Sequence, residues 1–244
     1  MQVTFGYKLL RYISWVIFGI SIALFTYVEM AQPVWSANKI PLIGKVIVID
    51  PGHGGPDGGA VSKYGIIEKE ITLKISSYLR DYLVQSGAKV VMTREKDMDL
   101  ADSETNRLSK RKTQDLIRRI QLVKKIKPDT FISIHLNAYP SAVWNGAQTF
   151  YYPVRDENKK LATFIQSSLI KYLGNTTRVP KPIHNVFVLK QSPVPTALVE
   201  AGFLSNHQEA MLLSTSSYQE KIAAAIYYGI LDYYSGKKAL EFAL

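Results

Sequence analysis

Two histidines and two glutamates stand in this chain where imidazoles and carboxylates can act together. His53 lies in Lys45 to Gly59, KVIVIDPGHGGPDGG, just past the apolar run Val46 to Ile49 and the aspartate Asp50. His135 closes Thr130 to His135, TFISIH, and Glu200 closes Thr196 to Glu200, TALVE. Short continuous apolar runs of this kind are expected of strands buried on both faces of an α/β sheet. Ligands bind beyond the carboxyl ends of such strands, and glycine lets the backbone turn sharply and leaves room for one. If the three strands are parallel neighbours, His53, His135 and Glu200 collect at one sheet edge. Glu68 is then available from the segment after the glycine loop. Two imidazoles and two carboxylates are the donors of catalytic metal sites and the usual carriers of protons.

The elements that must position these groups can be read in order. Ile71, Ile75, Tyr78, Leu79, Tyr82 and Leu83 recur at helical spacing and Gly87 stops the run, which puts Glu68 at or just before a helix N-terminus. Lys89 to Thr93 reads as the next strand. Asp97 to Lys127 is rich in charge; Leu116, Ile120 and Val123 support a helix over its second half, and its first half reads as a polar, mobile loop. Gln148 to Tyr152 reads as a strand, followed by a helix carrying Leu161, Phe164, Ile165, Leu169 and Tyr172 and ended by Gly174. Asn185 to Lys190 and Thr196 to Glu200 read as the last two strands, and Ser217 with Glu220 has capping-box spacing at the start of a final helix. This alternation predicts an α/β fold, a three-layer domain with a twisted, mostly parallel sheet of about six strands flanked by helices.

Length and composition set the bounds. A chain of 244 residues holds one domain with a full core and a short appendage, expected as an N-terminal segment 1–30, a linker 31–43, a catalytic domain 44–236 and a tail 237–244. The absence of cysteine excludes disulfides and thiolate metal sites. A net charge of +10 suits a polyanionic neighbour such as wall polymer, anionic lipid or nucleic acid, or simply solubility. Tyr12 to Val28 carries no charge, Lys8 and Arg11 precede it and Glu29 follows, the pattern of a signal peptide or membrane anchor that leaves the rest of the chain outside the cytoplasm. Cleavage after Ser36 is compatible with Val34 and Ser36, although Pro33 and Trp35 suit it poorly. The lysines and arginines from Lys110 to Lys127 are spread round a helix without interleaved aromatics, so they read as a solvated face and no nucleic-acid partner is expected.

Five blocks in order, IDPGHGGPDGGA (Ile49 to Ala60), IIEKEITL (Ile66 to Leu73), KVVMTR (Lys89 to Arg94), FISIHLNA (Phe131 to Ala138) and PTALVEAGFLSN (Pro195 to Asn206), resemble the zinc-dependent N-acetylmuramoyl-L-alanine amidases that cut bacterial peptidoglycan. The short chain with its apolar N-terminus is most similar to the spore-cortex, germination-specific members. The resemblance implies Zn2+ as cofactor, with His53, Glu68 and His135 as its ligands and water in the fourth position, and Glu200 as general base. It implies hydrolysis of the amide between the lactyl group of N-acetylmuramic acid and L-alanine, with peptidoglycan glycan strands and stem peptides as partners and an unknown protein activator possible.

Other roles remain open for several residues. Glu70 could replace Glu68 if the helix register differs. Asp50 is expected behind the ligands, orienting an imidazole or the loop. Asp57 serves the turn, and His184 and His207 match no ligand block. Arg119 corresponds to an arginine common upstream of the histidine strand. A GHGG phosphate loop is disfavoured because the P-loop lysine and the GxGxxG spacing are missing. Iron or manganese could occupy the same donors. A catalytically silent wall-binding module and a zinc peptidase acting within the stem peptide are the competing readings.

Overall fold

The β-branched runs that end in chemistry-bearing residues form adjacent strands. The computed structural model describes residues 3–31 and 41–237. Backbone contacts divide the chain into two units, Met1–Lys39 and Ile40–Leu244. The first contains helix α1 (Val3–Ala31), whose side chains from residue 11 to 27 are all exposed. Among the described residues no helix is long and apolar enough to cross a membrane. Residues 32–40 of the expected linker, the Ser36 cleavage point and the tail beyond residue 237 lie outside the described residues.

In the second unit the elements run β1 (Val46–Pro51), α2 (Glu68–Gln85), β2 (Lys89–Met92), α3 (Leu108–Ile126), β3 (Thr130–Asn137), β4 (Gln148–Tyr151), α4 (Asp156–Leu173), β5 (Lys181–Pro182), α5 (Phe187–Gln191), β6 (Thr196–Phe203), α6 (His207–Leu213) and α7 (Ser216–Tyr234). They build one six-stranded sheet in the order β2-β1-β3-β6-β4-β5. The first four strands are parallel; β4 runs antiparallel to β6, and β5 pairs parallel with β4. The expected mostly parallel, three-layer α/β fold is therefore present.

Successive side chains in a strand point to opposite faces, and this period assigns the layers. Ile47 and Ile49 of β1, Ile132 and Ile134 of β3, and Ala197 and Val199 of β6 are fully buried against α2, α4 and α7. Leu42 joins the same cluster, so ordered packing begins a few residues before β1. The alternate residues Val48 and Phe131 face a smaller cluster with Ile120 and Val123 of α3 and Val188 of α5. Asp50, Ser133, His135 and Glu200 continue along that second face.

Three expectations are corrected. Asn185 to Lys190 is not a strand. Its second half forms α5, where Lys190 N–H donates to the Val186 carbonyl at 3.0 Å, and a five-residue turn buries the adjacent Val188 and Leu189 together. An apolar run so short does not distinguish strand from helix by periodicity. The N-cap of α7 is Thr215, and Glu220 instead accepts a hydrogen bond from the Tyr82 hydroxyl at 3.0 Å. The polar stretch before α3 is pinned to it: Arg111 holds Asp99 at 2.6 Å, Arg118 holds Asp102 at 2.5 Å, and the Asp115 carboxylate accepts from Leu100 N–H at 2.9 Å.

Helices α4 and α7 meet at Gly229, where an added Cβ would stand 2.5 Å from Ile165 Cα. Alanine raises helix propensity by about 1 kcal/mol, but a clash against backbone outweighs it. Gly229→Ala is therefore expected to destabilise the domain by about 1–2 kcal/mol, read as a lower urea midpoint with an unchanged slope.

Candidate metal centre

The site grows from the carboxyl ends of β1, β3 and β6. In the β3–β6 register His135 lies opposite Glu200, and in the β1–β3 register Asp50 lies opposite Ser133. Past β1 the chain turns through Pro51, Gly52 and His53. Gly52 allows a close approach, since a Cβ there would lie 2.4 Å from the His135 ring. His53 adopts φ 61°, a left-handed conformation that costs a non-glycine residue about 1 kcal/mol or more.

That conformation is fixed by captured carbonyls. Arg119 of α3 donates from Nη1 to Asp50 Oδ1 at 2.6 Å and to the Pro51 carbonyl at 2.8 Å, from Nη2 to the His53 carbonyl at 2.7 Å, and from Nε to Asp115 at 2.9 Å. Arg94, after β2, takes the carbonyls of Pro51, Gly52 and Lys69 at 3.1, 2.9 and 2.8 Å. Thr93 and Ser133 hydroxyls complete the Asp50 carboxylate at 2.7 Å each. Burial opposes ionisation of Asp50, yet Arg119 and these hydroxyls hold its pKa below the ordinary value. Asp50 thus orients the loop, and among the described residues it makes no hydrogen bond to an imidazole. Arg119, expected on a solvated face, is 2 % exposed.

Glu68, the first residue of α2, stands between the two imidazoles. Its Oε1 accepts from His135 Nδ1 at 3.0 Å and from Leu136 N–H at 2.9 Å. Its Oε2 accepts from Ala60 N–H at 2.8 Å and lies 3.2 Å from His53 Nε2. One ligand atom each from His53, Glu68 and His135 fall within 4.8 Å of one another. Glu70 is exposed on the next part of the turn and is not in this group. The other nitrogen of His53, Nδ1, donates to Asp57 Oδ2 at 2.9 Å, and Lys112 of α3 approaches the same oxygen at 3.1 Å. Asp57, expected to serve only the turn, is the carboxylate behind His53. Its i+4 spacing from the histidine was the available sign.

The electrostatics follow from burial and pairing. Burial disfavours the charged form of His53, but hydrogen bonds to Asp57 and Glu68 prevail and raise its pKa to about 9. Burial would raise Glu68, yet hydrogen bonds from both histidines keep it well below the usual carboxylate range. Glu200 differs. Its Oε2 is buried with no hydrogen-bond partner among the described residues, and burial pushes its pKa up to about 7 against the pull of His135 and His53. Two nitrogens and one carboxylate oxygen suit a zinc ion, and a buried carboxyl titrating near neutrality beside them suits a proton carrier. His184 and His207 are exposed and outside this group.

A family model described as N-acetylmuramoyl-L-alanine amidase matches residues 47–232, the span that carries every group above. The chain belongs to that family. Its reaction is hydrolysis of the amide joining N-acetylmuramic acid to L-alanine. The amidase is 47% identical over 231 residues to the germination-specific N-acetylmuramoyl-L-alanine amidase of Bacillus subtilis, covering 94% of this chain and 97% of that one. Its fold is similar to the CwlD amidase from Clostridioides difficile, solved in complex with the GerS lipoprotein, with TM-score 0.77, 39% identity, and coverage of 79% of this chain and 100% of that one. A second N-acetylmuramoyl-L-alanine amidase, from Clostridium difficile 630, matches with TM-score 0.70 and 31% identity over 80% of this chain and 98% of that one.

Replacing Arg119 with methionine leaves Asp50 and Asp115 buried without their cation. Arg119→Met is expected to cost about 3–5 kcal/mol at pH 7, measured by denaturant unfolding. Because Asp50 titrates lower in the folded state than its ordinary 3.8, this contribution is complete above that pH and fades as pH falls below it. The gap between wild type and variant therefore narrows in acid; an undiminished gap at about pH 3 would contradict the assignment.

Proposed function

We infer that this amidase removes stem peptides from peptidoglycan by zinc-dependent hydrolysis of the lactyl amide, with His53, Glu68 and His135 holding the ion and Glu200 as general base. The observation that carries the reading is the placement of an unpartnered Glu200 oxygen opposite His135, beside three ligand atoms lying within 4.8 Å. A zinc ion held by His53, Glu68 and His135 would supply Lewis acidity toward the amide carbonyl and the attacking water.

The chain's own groups account for the rest. Asp57 on Nδ1 of His53 fixes which ring nitrogen faces Glu68, and the Ala60 and Leu136 N–H groups hold the Glu68 carboxylate in place. Glu200 Oε2 takes the proton of the attacking water and delivers it to the alanine nitrogen as the C–N bond breaks. Burial raises the Glu200 pKa, which favours a carboxyl that can both take up and return a proton. The sugar chain stays intact, and the peptide leaves with a free L-alanine amine.

High identity to a germination-specific amidase across nearly its whole length supports action outside the cytoplasm on spore cortex. There, peptide removal from muramic acid precedes lactam formation. The uncharged stretch of α1 between Arg11 and Glu29 supports attachment or export through the N-terminus. The complex of the Clostridioides difficile relative with a lipoprotein supports a protein partner here too.

Purified peptidoglycan treated with the enzyme should yield peptides beginning with a free L-alanine amine, identified by mass spectrometry. A zinc chelator should abolish release and added zinc restore it. Glu200→Gln should lower kcat at least about 100-fold while retaining stoichiometric zinc; cleavage within the peptide, or a Gln variant of full activity, would sink the reading.

A further inference from the structure

Two clefts meet at Glu200, and they differ in charge. One, of about 480 Å³, runs past Glu200 to Trp144, Arg178 and Lys181. The other, of about 270 Å³, runs past Glu200 to His53, Lys112, Leu116 and Phe187. In the second cleft Lys112 is neutralised by Asp57 at 3.1 Å, and Phe187 offers an apolar surface, 40% exposed. In the first cleft Arg178 acts on Glu209 only at a distance. Among the described residues no carboxylate lies within ion-pair distance of Arg178 or Lys181.

Arg178 is nevertheless held in position. Its guanidinium lies 5.5 Å from the Trp144 ring centre and 5.2 Å from that of Phe203, and its Nε and Nη2 donate to the Asn145 carbonyl at 3.3 and 3.2 Å. The neighbouring acid, Glu209, is occupied by the N–H groups of Gly146 and Phe203, at 2.9 and 2.8 Å. A guanidinium has five N–H donors, so several remain for a ligand. Lys181, on edge strand β5, is exposed. An aromatic-backed arginine with spare donors and a second unpaired cation form a carboxylate receptor.

The substrate's own charge distribution orients it on this surface. N-acetylated sugars are neutral, and the lactyl carboxyl is consumed in the scissile amide. The carboxylates belong to the stem peptide. We propose that Arg178 and Lys181 form the subsite that binds a stem-peptide carboxylate close to the scissile amide, with the muramic acid on the opposite side of Glu200 over Phe187 and Leu116. This rests on the reading of the site as the place of amide hydrolysis.

The test uses two soluble compounds, N-acetylmuramoyl-L-alanyl-D-glutamate and its bis-carboxamide, with the full-length zinc-loaded chain. Wild type should show a KM about tenfold lower for the acid. Arg178→Gln and Lys181→Gln should each raise KM for the acid about five- to tenfold, leave kcat within about twofold, and change nothing for the carboxamide. Arg178→Lys should recover part of the loss. Equal loss on both compounds, or none on the acid, overturns the proposal. Calorimetry on Glu200→Gln, with and without Arg178→Gln, reads the same preference without turnover. Hence failure of wild type to cut the lactyl amide would refute the reaction, while an absent acid preference in binding would refute the subsite.

Discussion

A single buried guanidinium fixes the geometry of this site. Arg119 joins Asp50 at the end of one strand to Asp115 on its own helix and to the carbonyls of the histidine loop. Burying three charges is costly, and hydrophobic replacements of similar shape often match such a group in stability. What the ions provide here is direction. Apolar packing cannot define where a loop carbonyl points, whereas a planar fork can. The strain at His53 persists because its carbonyl is held at 2.7 Å. Arg94 secures the neighbouring carbonyls from the other side, so the loop is determined by two rigid side chains.

The sheet separates two tasks. One face is filled with Ile, Leu, Val and Ala against three helices and supplies most of the burial. The other carries a small apolar cluster and then gives way to charge. The amidase keeps Asp50, His135 and Glu200 on the second face, away from the principal core. Water and a long polymer can reach the strand ends there without any break in that core.

Much of this was legible because strand and helix periods expose it. Apolar runs ending in Asp50, His135 and Glu200 located three parallel strands, and helical spacing after Glu68 located α2. The order of the strands could not be read, since β6 lies beside β3 only by long-range pairing. The burial of Arg119 was hidden, though the family pattern marked the position, because a lone buried arginine has the same local pattern as the solvated lysines around it. Asp57 was hidden by its surroundings, where proline and glycine explain an aspartate without a histidine. Helix α6 was missed although Asn206 caps it by accepting from Glu209 N–H at 3.0 Å, a signal overshadowed by the family block that ends there.

The alternation of faces along β6 has a further consequence for how the molecule matures. Shifting β6 by one residue would turn Glu200 toward the apolar core and bring Val199 or Ala201 to the face of His135. Such a chain would lose its carboxylate from the site and bury an unpaired charge in hydrocarbon, a cost of several kcal/mol. Mispaired folding products are thus unstable. The register of β6 therefore ties the stability of the sheet to the face on which Glu200 stands.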